Sequence, residues 1–134
     1  MVAWEKLYDP DLVQDIVVGL SLHLDPQRLE QEGALCTDPP GVRVEGQHFF
    51  LCIETSGDTS KWVPLFTAAN AGRLPLPKVG RAGHPKWVNG TFHYHTAQVW
   101  SASAQAVANA AARAHDKTRR GTRNTLATAH VPKV

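Results

Sequence analysis

The run Gln47-His48-Phe49-Phe50-Leu51-Cys52-Ile53-Glu54 constrains this chain more than any other segment. Its unbroken apolar stretch, rich in strand formers, is too short for a buried helix and reads as a strand. Thr55-Ser56-Gly57-Asp58-Thr59-Ser60 then reads as a hairpin loop, and Lys61-Trp62-Val63-Pro64-Leu65-Phe66-Thr67 as the returning strand. Pro64 has no amide hydrogen, which predicts that this second strand lies at an edge or carries a bulge.

The flanks differ in character. Apolar residues at 12, 13, 16, 17 and 20 have helical spacing, with Asp9 as cap and Pro10 in the first turn. Pro26 to about Glu32 predicts a second short helix closed by Gly33, and Asp38-Pro39-Pro40-Gly41 marks a loop. Residues 68–91, rich in Gly, Pro, Lys and Arg, read as a long irregular basic segment. Thr91–His95 and Gln98–Trp100 read as further strand pieces. Ser101 or Ser103 would cap an alanine-rich helix from about Ala104 to Lys117, followed by a basic tail. The order is α+β: an acidic helical segment over 1–33, a small antiparallel barrel or sheet over 34–101, a helix over 102–117 and a tail over 118–134, all within one domain.

Charge sharpens that division. Residues 1–60 carry three basic side chains (Lys6, Arg28, Arg43) against eleven acidic ones, a formal charge of −8. Residues 61–134 carry eleven basic side chains against Asp116 alone, a charge of +10. The overall +2 hides this split, which points to a polyanionic partner for the second half or to contact between the halves. With 43% hydrophobic and 19% charged residues the chain is neither disordered nor fibrous. Ile16–Leu24 is too short to span a bilayer, and Met1–Lys6 lacks the pattern of a secretion signal. Cys36 and Cys52 are too few for a disulfide framework, and Asn89-Gly90-Thr91 reads as a turn. A soluble cytoplasmic protein with no membrane partner is expected.

Three constellations carry chemistry. Lys61, Arg73, Lys78, Arg81 and Lys86 are interleaved with Trp62, Trp87 and Phe92, and Arg113, Lys117, Arg119, Arg120 and Arg123 follow. Cations for phosphates and flat π surfaces for unpaired bases suit RNA or another single-stranded nucleic acid. His93 and His95, alternating on a strand, offer a fallback metal pair with His48 or His84 as third ligand, the basis of a metal-hydrolase reading. The third set is His48, Arg43 and Thr67. Metal-independent RNA cleavage needs a group to take the 2′-hydroxyl proton and a cation for the phosphorane charge, which His and Arg supply. No Gly-rich phosphate loop, nucleophile elbow or carboxylate pair is present, and no cofactor is expected.

Residues 34–108 also resemble a known family. A short strand (Ala34–Thr37) leads through a Pro/Gly loop (Asp38–Gly46) into Gly46-Gln47-His48-Phe49-Phe50-Leu51-Cys52-Ile53, which is similar to the Gly-x-Arg-Pro-hydrophobic segment of MazF/PemK-type toxins. Val63-Pro64-Leu65-Phe66-Thr67 resembles that family's strand ending in Pro-hydrophobic-Thr/Ser, and Phe92–Trp100 its late strand leading into a helix. The resemblance implies an SH3-like barrel that cleaves RNA without metal, acts as a homodimer and is held by an antitoxin-like protein partner. On it His48 is general acid/base, Arg43 stabilises the phosphorane and Thr67 orients the phosphate. His48 stands where the family has Arg and Phe49 where it has Pro, and the segments 1–33 and 68–91 are additions to the family plan. A degenerate relative, or a non-catalytic binding or regulatory module for nucleic acid or protein, remains the alternative. If the acidic segment masks a basic groove, removing residues 1–33 raises RNA binding.

Overall fold

In the computed structural model, residues 11–111, 113–117 and 123–134 are described. The expected hairpin is its centre. β3 (His48–Ser56) and β4 (Thr59–Phe66) pair antiparallel with Ser56 opposite Thr59, so the loop is only Gly57-Asp58, shorter than the sequence predicts. Gly57 has a φ of 58°, the left-handed conformation that a two-residue turn requires. A register shift between Cys52 and Glu54 makes Ile53 a bulge.

Both faces of β3 are buried, which is why its sequence is a continuous apolar run rather than an alternating one. Phe50 and Cys52 face Trp62, Trp100 and a layer of short helices. Phe49 and Leu51 face Val63, Leu65, Leu76, Trp87, Phe92 and Leu126. The helical layer comprises α1 (Leu12–Asp15), α2 (Pro26–Gln31) and α4 (Ala104–Ala110). In α2 the Asp25 carboxylate accepts from Gln27 N at 3.0 Å, and Gly33 follows at a φ of 91°. Ser103 caps α4 by accepting from Ala106 N at 3.2 Å. The small side chains Ala106, Ala108 and Ala110 let α4 lie close against the tryptophans.

The remaining strands are β1 (Ser21–Leu24), β2 (Leu35–Cys36), β5 (Arg73–Pro75), β6 (Arg81–Ala82), β7 (His93–His95), β8 (Trp100–Ser103) and β9 (Thr125–Leu126), with α3 (Pro85–Val88) between β6 and β7. Seven strands form one antiparallel sheet ordered β1-β3-β4-β7-β5, with β8 on β4 and β2 on β8. β6 and β9 pair separately. Since β1, β2 and β5 each have one neighbour in the sheet, the ladder is open rather than a closed barrel.

β4 is no edge strand. Thr59–Trp62 pair with β8 and Leu65–Phe66 with β7, while Val63 and Pro64 have partners only on the β3 side. The missing amide hydrogen thus falls where β4 changes partners.

Three further expectations are corrected. Helical spacing over 10–20 gives a helix of only four residues. Leu20 is already bridged to Thr125, and Leu20, Leu22 and Leu24 are buried on one side of β1. Asp9 and Pro10 lie outside the described residues. The alanine-rich helix stops at Ala110 instead of Lys117, because Ala111 turns extended and bridges Leu24. The expected tail comes back into the fold, with Asn124 and Leu126 buried in and beside β9. Residues 12–33 supply core leucines and a strand of the sheet, so truncating 1–33 would unfold the protein rather than uncover a groove. No helix among the described residues is long and apolar enough to cross a membrane.

Candidate functional site

A cleft of about 410 Å³ opens where the loop before β3, the end of β4, β5 and β7 meet. It brings together two residues of the predicted catalytic set, Arg43 and His48, with Arg73 and His95. Phe66 and Gln98 complete the wall, and Asp38 and Glu45 add carboxylates. These basic side chains come from three stretches of chain: the entry to β3, which supplies Arg43 and His48, then β5 with Arg73 and β7 with His95.

Each is held by specific contacts. Arg43 donates through Nε to Asp38 O at 2.8 Å and pairs with Glu30 Oε1 at 3.2 Å. The Arg73 guanidinium lies 3.8 Å from the centre of the Phe66 ring and donates to Ala68 O at 3.0 Å. That stacking keeps a cation on the cleft wall without using up its charge on a carboxylate. His95 Nδ1 accepts from Ala97 N at 3.0 Å, which puts the proton of the neutral ring on Nε2. The neighbouring Gly72 leaves room for this ring, since a Cβ there would sit 3.2 Å from Nε2.

His48 sits at the cleft, but both its nitrogens face main-chain carbonyls, Nδ1 at 3.1 Å from Leu65 O and Nε2 at 3.2 Å from Glu45 O. Both carbonyls are satisfied together only when each ring nitrogen carries hydrogen. To act as a base, His48 has to release one of them. Thr67 follows Phe66 at the exposed end of β4 and does not line the cleft. The predicted set is thus two-thirds assembled.

The proposed strand-guiding residues scatter. Trp62 and Trp87 are fully buried, and their indole N–H groups donate to Ser60 Oγ at 2.7 Å and Thr125 O at 2.9 Å. Neither offers a face to a base, and this corrects the expectation that they stack nucleotides. Arg81 is also structural. It donates to the carbonyls of Pro77, Leu76, Trp87 and Gly90 at 2.5–3.1 Å, beneath Trp87 and Phe92. Burial lowers its pKa. Lys61 pairs across the hairpin with Glu54 at 3.4 Å, away from the cleft lining, whereas Lys78 and Lys86 are exposed. Arg119 and Arg120 lie outside the described residues. For His93 and His95, no three His, Cys, Asp or Glu side chains among the described residues converge as a shared metal requires.

By sequence Asp38 falls in a loop and Gln98 in a strand piece, and neither is a candidate site residue. Gln98 is buried and uses both ends of its amide: Oε1 accepts from Val44 N at 3.1 Å and Trp100 Nε1 at 3.0 Å. Its Nε2 donates to Asp38 Oδ2 at 2.9 Å and to Val42 O at 3.2 Å. A polar residue two positions before the buried Trp100 was the available signal, but its partners are some sixty positions away.

A second cluster lies on the other side of β1. The rings of His23 and His84 each stand 4.8 Å from that of His115, and His23 packs on Phe49 at 3.8 Å. His23 Nδ1 and His115 Nε2 are buried without a hydrogen-bond partner. Burial, then the nearby His115, Arg113, His48 and Lys86, lowers the His23 pKa to about 4, and burial likewise lowers that of His115. A histidine depressed in this way contributes stability that is complete above its unfolded value near 6.5 and is lost as pH falls toward 4. The urea midpoint therefore falls between pH 6.5 and 4, and His23→Phe flattens that decline. An unchanged pH profile in His23→Phe contradicts this assignment.

No family model, curated protein or solved structure matches this chain.

Proposed function

We propose that the cleft binds the phosphodiester backbone of a single-stranded nucleic acid, RNA before DNA. The observation that carries this reading is the convergence of Arg43, His48, Arg73 and His95 on one cleft. Phosphate oxygens accept from arginine and from imidazole N–H groups, and Arg73, stacked on Phe66, adds a flat surface for an unpaired base. The SH3-like barrel kinship belongs to the same proposal. Its support is the bulged central hairpin and the fork of β4 between β8 and β7.

A labelled single-stranded RNA of about ten nucleotides should bind with a log–log salt slope of about −1.4, since about −0.7 accrues per phosphate neutralised on a single strand and Arg43 and Arg73 line the cleft. Arg73→Ala should weaken binding about tenfold, the scale of one charge-assisted contact. Wild-type protein that fails to bind, or an Arg73→Ala variant that binds equally well, removes this reading.

Metal-independent cleavage is the second reading, favoured by Arg43 and His48 lining one cleft. In it a His48 nitrogen exchanges its carbonyl for the 2′-hydroxyl of the bound strand and takes its proton. The 2′-oxygen bonds to phosphorus while Arg43 faces the phosphorane, and the P–O5′ bond breaks with the 5′-oxygen protonated from water, leaving a 2′,3′-cyclic phosphate. Long RNA incubated with the protein in EDTA then yields fragments, and His48→Ala does not produce them. Intact RNA beside tight binding leaves the chain a binding module.

A further inference from the structure

A cleft meant only for phosphate has no use for a fixed carboxylate, yet Asp38 is fixed in this one. Its Oδ2 accepts from Gln98 Nε2, and Gln98 is itself buried and anchored by Val44 N and the Trp100 indole. The cleft arginines do not neutralise it. Arg43 reaches only the main-chain oxygen of Asp38 and gives its ion pair to Glu30, and Arg73 is stacked on Phe66 and donates to Ala68 O. Asp38 therefore lines the cleft as an oriented, acceptor-only group beside cations.

A ligand matching this wall carries an anion and, within a few ångströms, a hydrogen-bond donor edge. Among the RNA bases only guanine presents two adjacent donors, N1–H and N2–H₂, to a carboxylate. Adenine and cytosine each pair a single amino group with a ring acceptor, and uracil flanks its one N–H with two carbonyls. An acceptor such as N1 of adenine or N3 of cytosine set against a carboxylate is repelled. The Asp38 carboxylate retains lone pairs after its bond to Gln98.

We infer that the cleft selects a guanine nucleotide, with Asp38 reading the N1–H/N2–H₂ edge while Arg43 and Arg73 hold the phosphate. This rests on the nucleic-acid reading of the same cleft and adds its base specificity. Gln98 is a positioning residue, acting through Asp38.

The test is an NMR titration of the full chain with GMP, AMP, CMP and UMP, repeated on Asp38→Asn. GMP should bind at least about tenfold more tightly than the other three, as for a well-formed two-point base contact. The Asp38→Asn side chain keeps a carbonyl for Gln98 Nε2 but presents an amide donor where guanine needs an acceptor. It should lose the GMP preference, so that the four nucleotides bind alike. Equal binding of the four nucleotides by the wild type overturns the inference, as does a guanine preference retained in Asp38→Asn. Both results leave phosphate binding intact. Failure of all four to bind while the ten-nucleotide RNA still binds overturns the inference alone, and failure of that RNA as well removes the proposed function with it. Gln98→Glu supplies a second readout: a carboxylate against a carboxylate turns Asp38 away, so the GMP preference should fall even where the thermal midpoint is retained.

Discussion

Replacing Arg81 with alanine should destabilise the protein by about 4 kcal/mol, more than any exposed cation, because it orphans several main-chain carbonyls at once. The guanidinium collects the carbonyls of Leu76, Pro77, Trp87 and Gly90, and so ties the start of the 76–92 segment to its end. It also packs under Trp87 at 4.9 Å and Phe92 at 5.1 Å, the side chains that cover one face of β3. Arg81→Lys should lose about half as much, since an ammonium keeps the charge but not the planar fork. Urea unfolding followed by tryptophan fluorescence measures both. A loss under 1 kcal/mol in Arg81→Ala would mean that water satisfies these carbonyls.

The second large effect is at Gly19, where Gly19→Ala should cost about 3 kcal/mol or more. Gly19 has a φ of 97°, and a Cβ there would overlap the carbonyl oxygen of Leu126. The position admits no easy retreat. Gly19 N donates to Cys52 O at 2.9 Å, and Leu126 N donates to Gly19 O at 2.7 Å. One residue thus joins β3 to β9, and moving it breaks both links. Gly33 is the control, with a similar φ of 91° and open space around its would-be Cβ. Gly33→Ala carries only the conformational penalty, about 1 kcal/mol. Thermal midpoints of the two variants separate steric overlap from backbone strain, and equal losses would refute the overlap.

Parts of the fold were legible because their signals are local. The β3–β4 hairpin follows from an apolar run, a Gly-containing turn and a second apolar run within twenty residues. The end of α2 before Gly33 and the cap of α4 follow from that glycine and from Ser103 before an alanine series. Strand β1 was missed through competing periods. Residues 12, 13, 16, 17 and 20 fit a helix, but Leu20-Ser21-Leu22-His23-Leu24 alternates, and a sheet edge beside β3 decides in favour of alternation. The helix beyond Ala110 failed similarly: alanine propensity favours continuing, and the bridge from Ala111 to Leu24 wins.

The candidate site divides along the same line. Arg43 and His48 were identifiable, being five positions apart around the entry to the strongest strand. Tryptophans and arginines gave a false signal, because composition counts a cation or a ring without saying what it touches. Trp62 and Trp87 satisfy the core, Arg81 satisfies carbonyls, and Arg123 pairs with Asp15 at 3.0 Å, far across the sequence.

The sequence by itself determined the central hairpin, the α+β composition of the chain and its division into an acidic and a basic half, all properties of neighbouring residues. Only the tertiary structure decided which arginines face a cleft, that Asp38 is oriented there by Gln98, and that the first and last described segments are joined through Gly19, Leu20, Thr125 and Leu126. Those outcomes depend on contacts between residues tens of positions apart, such as Gln98 with Asp38 and Leu126 with Gly19. Burial and hydrogen-bond satisfaction across that distance set them, and no local pattern of residues records it.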